Sequence, residues 1–239
     1  MELAKGIRII DGQPASEGQF PYQVAVTFTT NDGTFFCGGS LLNRDWILTA
    51  GHCVNGATQF NILLGGIYIN GDEGGRISRY ADYYYLHEEY DPSTLYADVG
   101  VVHMSEGVDF NDRISPVGLS EDFIGEGVSL TVSGYGATSD GSGVSNNLNY
   151  VSLTSIGNSA CSAIYGGTIT DGTICATGNP NHSTCSGDSG GPLVVNNNGN
   201  IQQVGVVSWV YAGGCGAGYP SGYSRVSYYR EWIRARTGA

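Results

Sequence analysis

Short apolar stretches rich in Val, Ile, Thr and Tyr recur along the chain, with polar or glycine-bearing segments between them. Gln23–Phe28, Trp46–Thr49, Ile62–Ile69, Val99–Met104, Val128–Ser133, Leu148–Ile156, Leu193–Val195 and Val204–Val210 read as strands. Asn55-Gly56, Asn70-Gly71 and Asn198-Gly199 read as hairpin-type turns. Many short strands without alternating helices predict an all-β sandwich or barrel. No repeat of fixed period interrupts the pattern. Asn111–Phe123 is polar, contains Pro116 and lies near the middle, so it is the expected linker between two halves. Only the end has helical spacing, through Tyr228, Tyr229, Trp232, Ile233 and Arg236, with Ser227 as the expected cap. Its predicted role is to pack an aromatic face on the body.

Composition narrows the class. The chain has 239 residues, of which 41% are apolar and 13% charged, which excludes disorder. Its 38 glycines follow no triplet period, which excludes collagen. A net charge of −12 gives no attraction to phosphate backbones or anionic bilayers, so no nucleic-acid or membrane partner is expected. The cysteines, Cys37, Cys53, Cys161, Cys175, Cys185 and Cys215, are even in number and none lies in a C-x-x-C pair. A secreted, oxidised protein is the better reading, although spacing alone does not choose among the fifteen pairings that six cysteines allow. Met1–Arg8 is too short and too polar for a signal peptide. Arg8 precedes Ile9-Ile10-Asp11-Gly12, and Lys5 is the only lysine. Residues 1–8 are therefore expected to be a pro-segment cut after Arg8, or a remnant left by trimming.

Candidate chemistry gathers at three places. In Gly187-Asp188-Ser189-Gly190-Gly191-Pro192, glycines surround a serine and permit a tight turn whose N–H groups converge on one point. A serine attacks only if a base takes its proton and donors stabilise the oxyanion. Among the four histidines, His52 stands at the end of an apolar run, in Thr49-Ala50-Gly51-His52-Cys53, whereas His87, His103 and His182 have no such setting. Asp98 opens the apolar run Asp98-Val99-Gly100-Val101-Val102, where a carboxylate is costly unless paired.

Taken in that order, these three motifs resemble the chymotrypsin/trypsin family of serine endopeptidases. Supporting matches are Pro21-Tyr22-Gln23-Val24, Cys37-Gly38-Gly39-Ser40-Leu41, Ser208-Trp209 and Trp232-Ile233. The resemblance runs from Ile9 to the C-terminus. It implies an all-β fold of two antiparallel six-stranded β-barrels with a C-terminal helix: residues 9–115 carrying His52 and Asp98, and residues 116–239 carrying Ser189. By the same resemblance Ser189 is the nucleophile, His52 the general base and then acid, and Asp98 its orienter, with Ser208 hydrogen-bonding Asp98. Gly187 and Ser189 supply the oxyanion N–H groups. The implied disulfides are Cys37–Cys53, Cys161–Cys175 and Cys185–Cys215. Cleavage after Arg8 would free the Ile9 amine to pair with Asp188. One departure is Gly51, where the family usually has Ala; this change is expected to be tolerated. Residues 1–8 hold no cysteine, so a released pro-segment would diffuse away.

The resemblance also implies a primary pocket built from Ser183, Thr184, Ser208, Trp209, Val210 and Ser221. A neutral Ser183 at its base cannot compensate a buried cation, which disfavours Lys and Arg side chains. Val210 narrows the slot, so apolar P1 residues of the chymotrypsin or elastase type are expected. Val210-Tyr211-Ala212-Gly213-Gly214-Cys215 resembles the arthropod digestive branch, including brachyurins and collagenases. Expected partners are protein and peptide substrates, protein protease inhibitors and an activating trypsin-like protease. A secreted monomer, with the gut lumen as one setting, needs neither cofactor nor metal. Asp72 and Glu73 read as a solvated turn, and the sequon at Asn181 as unglycosylated. The alternative is a catalytically dead homologue acting as a binding module.

Overall fold

The computed structural model describes residues 9, 12–71, 73–178 and 182–239. After a short β1 (Gln13–Pro14) come β2 (Gln23–Thr30), β3 (Gly33–Leu41), β4 (Trp46–Thr49), α1 (Gly51–Val54), β5 (Gln59–Leu64), β6 (Ile77–Leu86) and β7 (Gly100–Met104). Strands β2-β3-β4-β7-β6-β5 close into an antiparallel barrel. Its interior holds Val24, Val26, Leu48, Ile62, Val101 and Val102.

The second half contains β8 (Gly118–Leu119), β9 (Ser129–Gly134), β10 (Asn149–Ile156), α2 (Asn158–Tyr165), a 3-10 turn (Gly166–Thr168), β11 (Thr173–Thr177), β12 (Pro192–Asn197), β13 (Asn200–Trp209), β14 (Ser221–Arg225) and α3 (Val226–Thr237). Strands β9-β10-β11-β14-β13-β12 return to β9 and form the second six-stranded barrel. β10 shows why: Val151 and Leu153 point inward while Ser152 and Thr154 face out. β8, within the polar middle segment, adds to β13 in parallel. Ile9 is buried in the core of this barrel with Leu130 and Val132 of β9.

Two buried polar pairs fix one barrel against the other. Ser133 donates to Gln23 Oε1 at 2.6 Å, and Ser40 donates to Gln203 Oε1 at 2.6 Å. α3 crosses back, so that Val226, Tyr229 and Ile233 join the core of the first barrel. Arg234 and Arg236 in its last turn face the negative end of the helix dipole, and Gly238 ends it in the left-handed region at φ 72°. The three disulfides are Cys37–Cys53, Cys161–Cys175 and Cys185–Cys215.

Several local expectations need correction. Ser227 does not cap α3; it lies inside the helix, and Arg225 is the N-cap residue, with no side-chain cap. Helices are not confined to the end, since α1 and α2 also form. β5 stops at Leu64, because Gly65 turns with φ 75°. Of the three Asn-Gly pairs only Asn198-Gly199 joins paired strands directly, both residues having positive φ as the tight turn demands. Glu73 is not solvated: its side chain is 6% exposed and accepts the N–H groups of Ile67 and Tyr68 at 3.0 Å. Arg8, Asp72 and Asn181 lie outside the described residues.

Candidate active site

His52 sits on α1, immediately after β4, and Cys53 beside it is bonded to Cys37 on β3. Asp98 is 0% exposed. Its Oδ2 lies 2.8 Å from His52 Nδ1 and accepts the Ser208 hydroxyl at 2.6 Å. Its Oδ1 accepts the His52 N–H at 2.7 Å. The backbone N–H and ring of His52 and the hydroxyl of Ser208 thus surround this buried carboxylate with polar partners. Ser208 reaches it because β13 breaks register against β14 between Val207 and Trp209.

This arrangement sets the acidity of His52. Burial works to lower its pKa, but the Asp98 charge and hydrogen bond outweigh burial, and the net direction is upward. A cation formed on the imidazole is therefore stabilised in place.

Ser189 enters from the second barrel, on the turn before β12. Its carbonyl accepts Gly38 N–H from β3 at 2.7 Å, and Gly190 N–H donates to Val207 at 2.8 Å. Gly190 has φ 81°, and a Cβ there would lie 2.5 Å from Gly38 O and 3.0 Å from Ala50 N. Only glycine lets the serine turn close on the segment that leads into His52. The side-chain hydrogen bonds of His52 go to Asp98, and none joins it to Ser189. In free enzymes such bonds are commonly long and tighten on substrate. Among the described residues the N–H groups of Gly187 and Ser189 donate to no other protein group, and Gly187 has φ 97°. Two unspent donors thus flank the serine.

Asp188, next to the serine, is 0% exposed. It accepts Gly136 N–H at 2.8 Å and Cys185 N–H at 2.9 Å. Burial pushes its pKa up to about 6 against the pull of those two donors.

Ser183, Thr184, Ser208 and Ser221 are buried, while Trp209 and Val210 are half-buried. Val210 packs on the Cys185–Cys215 disulfide with Ala137. Ser221 meets Tyr223 OH at 2.8 Å. Beside them lies an open cavity of about 330 Å³ walled by Leu95, Tyr165, Trp209, Val210 and Tyr211. The sequence reading missed Leu95, Tyr165 and Tyr211. It also missed Ser224, whose hydroxyl donates to the Asp98 carbonyl at 2.8 Å. A lone serine in a strand carries no signal of that role. Gly51 proves to be tightly enclosed: a Cβ would stand 3.0 Å from Val99 N and 3.2 Å from Asp98 Oδ1.

A two-barrel fold with a serine, a histidine and a buried aspartate converging between the barrels defines a chymotrypsin-like serine protease. The comparisons agree. The family described as Trypsin matches residues 9–233. Brachyurin of Leptuca pugilator is 37% identical over 231 residues, covering 96% of this chain and 99% of that protein. Collagenase of Hypoderma lineatum is 36% identical over 244 residues, covering 99% and 90%. A solved structure of HL collagenase superposes with a TM-score of 0.86 at 34% identity, covering 96% of this chain and 98% of that one. The chain belongs to the trypsin family of serine endopeptidases.

Proposed function

We propose that this chain hydrolyses peptide bonds after apolar residues through an acyl-enzyme formed on Ser189. The observation that carries the reading is the imidazole of His52 held by Asp98, with the Ser189 turn of the second barrel closing on Gly38 of the first and carrying two unspent N–H donors. Ser189 Oγ attacks the scissile carbonyl as His52 Nε2 takes its proton. The oxyanion is held by Gly187 and Ser189 N–H. His52 then gives the proton to the departing amine, leaving the acyl-enzyme. Water repeats the sequence, with His52 as base, and returns Ser189. The test is labelling with a fluorophosphonate. Stoichiometric attachment at Ser189, abolished in Ser189→Ala, is expected. A folded chain that does not react is the dead homologue.

Neutral Ser183 and Ser221, with Val210 on the wall, support small and aliphatic P1 side chains over cations. The apolar cavity at Leu95, Tyr165 and Trp209 supports a second apolar substrate residue upstream. In a peptide series differing only at P1, Ala and Leu are expected to exceed Phe and Tyr, and Arg to be poorest. Val210→Gly is expected to raise kcat/KM for Phe by about 10- to 100-fold. A wild type that prefers Phe, unchanged by Val210→Gly, removes Val210 from the specificity argument.

The reading extends to a secreted zymogen activated by cleavage after Arg8. Secretion fits the three disulfides. Among the described residues, no helix is long and apolar enough to cross a membrane. Protein substrates and an activating trypsin-like protease are the partners this reading requires, and protein protease inhibitors are partners it allows.

A further inference from the structure

We infer that Asp140 is a positioning residue for the primary substrate pocket: it holds the turn Tyr211–Cys215, and so Val210, in register with the nucleophile loop. The inference deepens the endopeptidase reading and rests on it.

Asp140 lies on the excursion between β9 and β10, outside both barrels. The root of that excursion is tied to the nucleophile loop, with Ala137 N–H donating to Ser186 O at 2.7 Å and Gly136 N–H to Asp188 Oδ1 at 2.8 Å. It is braced internally by the bridge of Ala137 with Val144 and by a turn in which Ser142 N–H donates to Ser139 O at 3.1 Å. From this short arm Asp140 Oδ1 accepts the N–H of Cys215 at 2.7 Å. Its other oxygen lies against Gly214, where a Cβ would stand 2.7 Å away. Among the described residues this is the one side-chain hydrogen bond from the arm to the 210–220 loop.

The consequence is a closed circuit. It runs from the nucleophile loop through Gly136 and Ala137 to Asp140, then to Cys215, and back through the disulfide to Cys185. Val210 packs on that disulfide. The rest of the loop closes on itself through the Tyr211–Tyr219 stack, with centroids 4.0 Å apart. Tyr165 OH also donates to Pro220 O at 2.6 Å. Asp140 is the carboxylate that ties the arm to the 210–220 loop, as Asp188 ties the arm's root to the nucleophile loop, and a carboxylate accepting a backbone N–H makes a charge-assisted bond. Its side chain is exposed, so its removal leaves both barrel cores intact.

The test compares wild type, Asp140→Ala and Asp140→Asn by fluorophosphonate titration and by a peptide series with Ala, Leu, Phe or Tyr at P1. Asp140→Ala is expected to titrate fully. It should lose about 5- to 20-fold in kcat/KM on the best P1 residue, chiefly through KM, and its P1 ratios should flatten. Asp140→Asn keeps the Oδ1 acceptor and is expected to recover most of the loss. Asp140→Ala with unchanged KM and P1 ratios overturns the inference alone, as does Asp140→Asn impaired equally with Ala. A wild type that fails to titrate overturns the endopeptidase reading with it.

Discussion

Asp98→Asn is expected to lower kcat by about 10⁴-fold, the loss seen when the template triad of this family is altered in the same way. The cause lies in hydrogen-bond donors. Asp98 Oδ2 now faces His52 Nδ1 at 2.8 Å and also accepts Ser208 at 2.6 Å, so it takes two hydrogens. An asparagine must spend one oxygen and one NH₂ on the same surroundings. If its NH₂ faces Nδ1, the imidazole carries its proton on Nε2 and cannot accept one from Ser189. The variant should fold, because the three disulfides and both cores are untouched. The acid limb of the pH–rate profile provides a second readout. Burial lowers the His52 pKa and Asp98 raises it above the ordinary value, so activity in the wild type is lost as pH falls through that raised pKa. With the charge gone, burial alone acts on His52, and the acid limb of the residual activity should move to lower pH. A loss smaller than about tenfold, or an acid limb that stays in place, removes Asp98 from this role.

The serine turn, His52 and Asp98 are legible in the sequence because catalysis demands those residue types and burial constrains their neighbours. The strands that carry less of that signal were not. β3 holds Gly38-Gly39, which argues against a strand. Gly38 is nevertheless required where β3 passes the serine turn, since a Cβ there would lie 3.0 Å from Gly191 Cα. β14 is buried at every position yet reads Ser-Gly-Tyr-Ser-Arg. Its serines are spent on Tyr223 and on the Asp98 carbonyl. Arg225 is buried and gives its hydrogens to the carbonyls of Asp171, Ile124 and Thr173. β6 alternates, but its outward positions carry Ser, Tyr and Asp and blur the apolar pattern. In β14 hydrogen bonding across long sequence separation decides burial, in β3 a close backbone approach decides the residue, and periodicity registers neither. Ser227 failed as a cap for a related reason: β14 runs directly into α3, and the first turn begins before the serine.

Protein beginning at Ile9 is expected to hydrolyse peptides at least about 100-fold faster than the uncut chain. In the described residues no ion pair neutralises Asp188, which is fully buried between two backbone donors. Its pKa, raised to about 6, means that the stability it contributes is complete below the ordinary carboxylate value and is lost as pH rises through about 6. Above that pH the uncut chain therefore holds a buried carboxylate without a counter-charge beside the serine. On the proposed activation, a free Ile9 ammonium would supply that charge. The Ile9 side chain already packs on β9, whose end lies against Asp188. Breaking such a buried pair costs about 3–5 kcal/mol, or about 10²- to 10³-fold or more in rate. A free α-amine titrates near about 7.7–8.0, and pairing raises that value. Activity should thus be complete below the free value and disappear as pH rises through the raised one. Trace trypsin should expose Ile9, whether or not it also cuts after Lys5, and leave the folded body intact. No lysine follows Lys5, and Arg44, Arg79, Arg113, Arg230 and Arg236 are paired with carboxylates. Arg76 and Arg225 are held by carbonyls, and Arg234 lies within α3. N-terminal sequencing should then read Ile9, with one rise in activity, and Asp188→Asn should be cut without that rise. An uncut chain as fast as the cut one, or an Asp188→Asn that activates normally, removes the ion pair from the mechanism and leaves the raised pKa of Asp188 without a function.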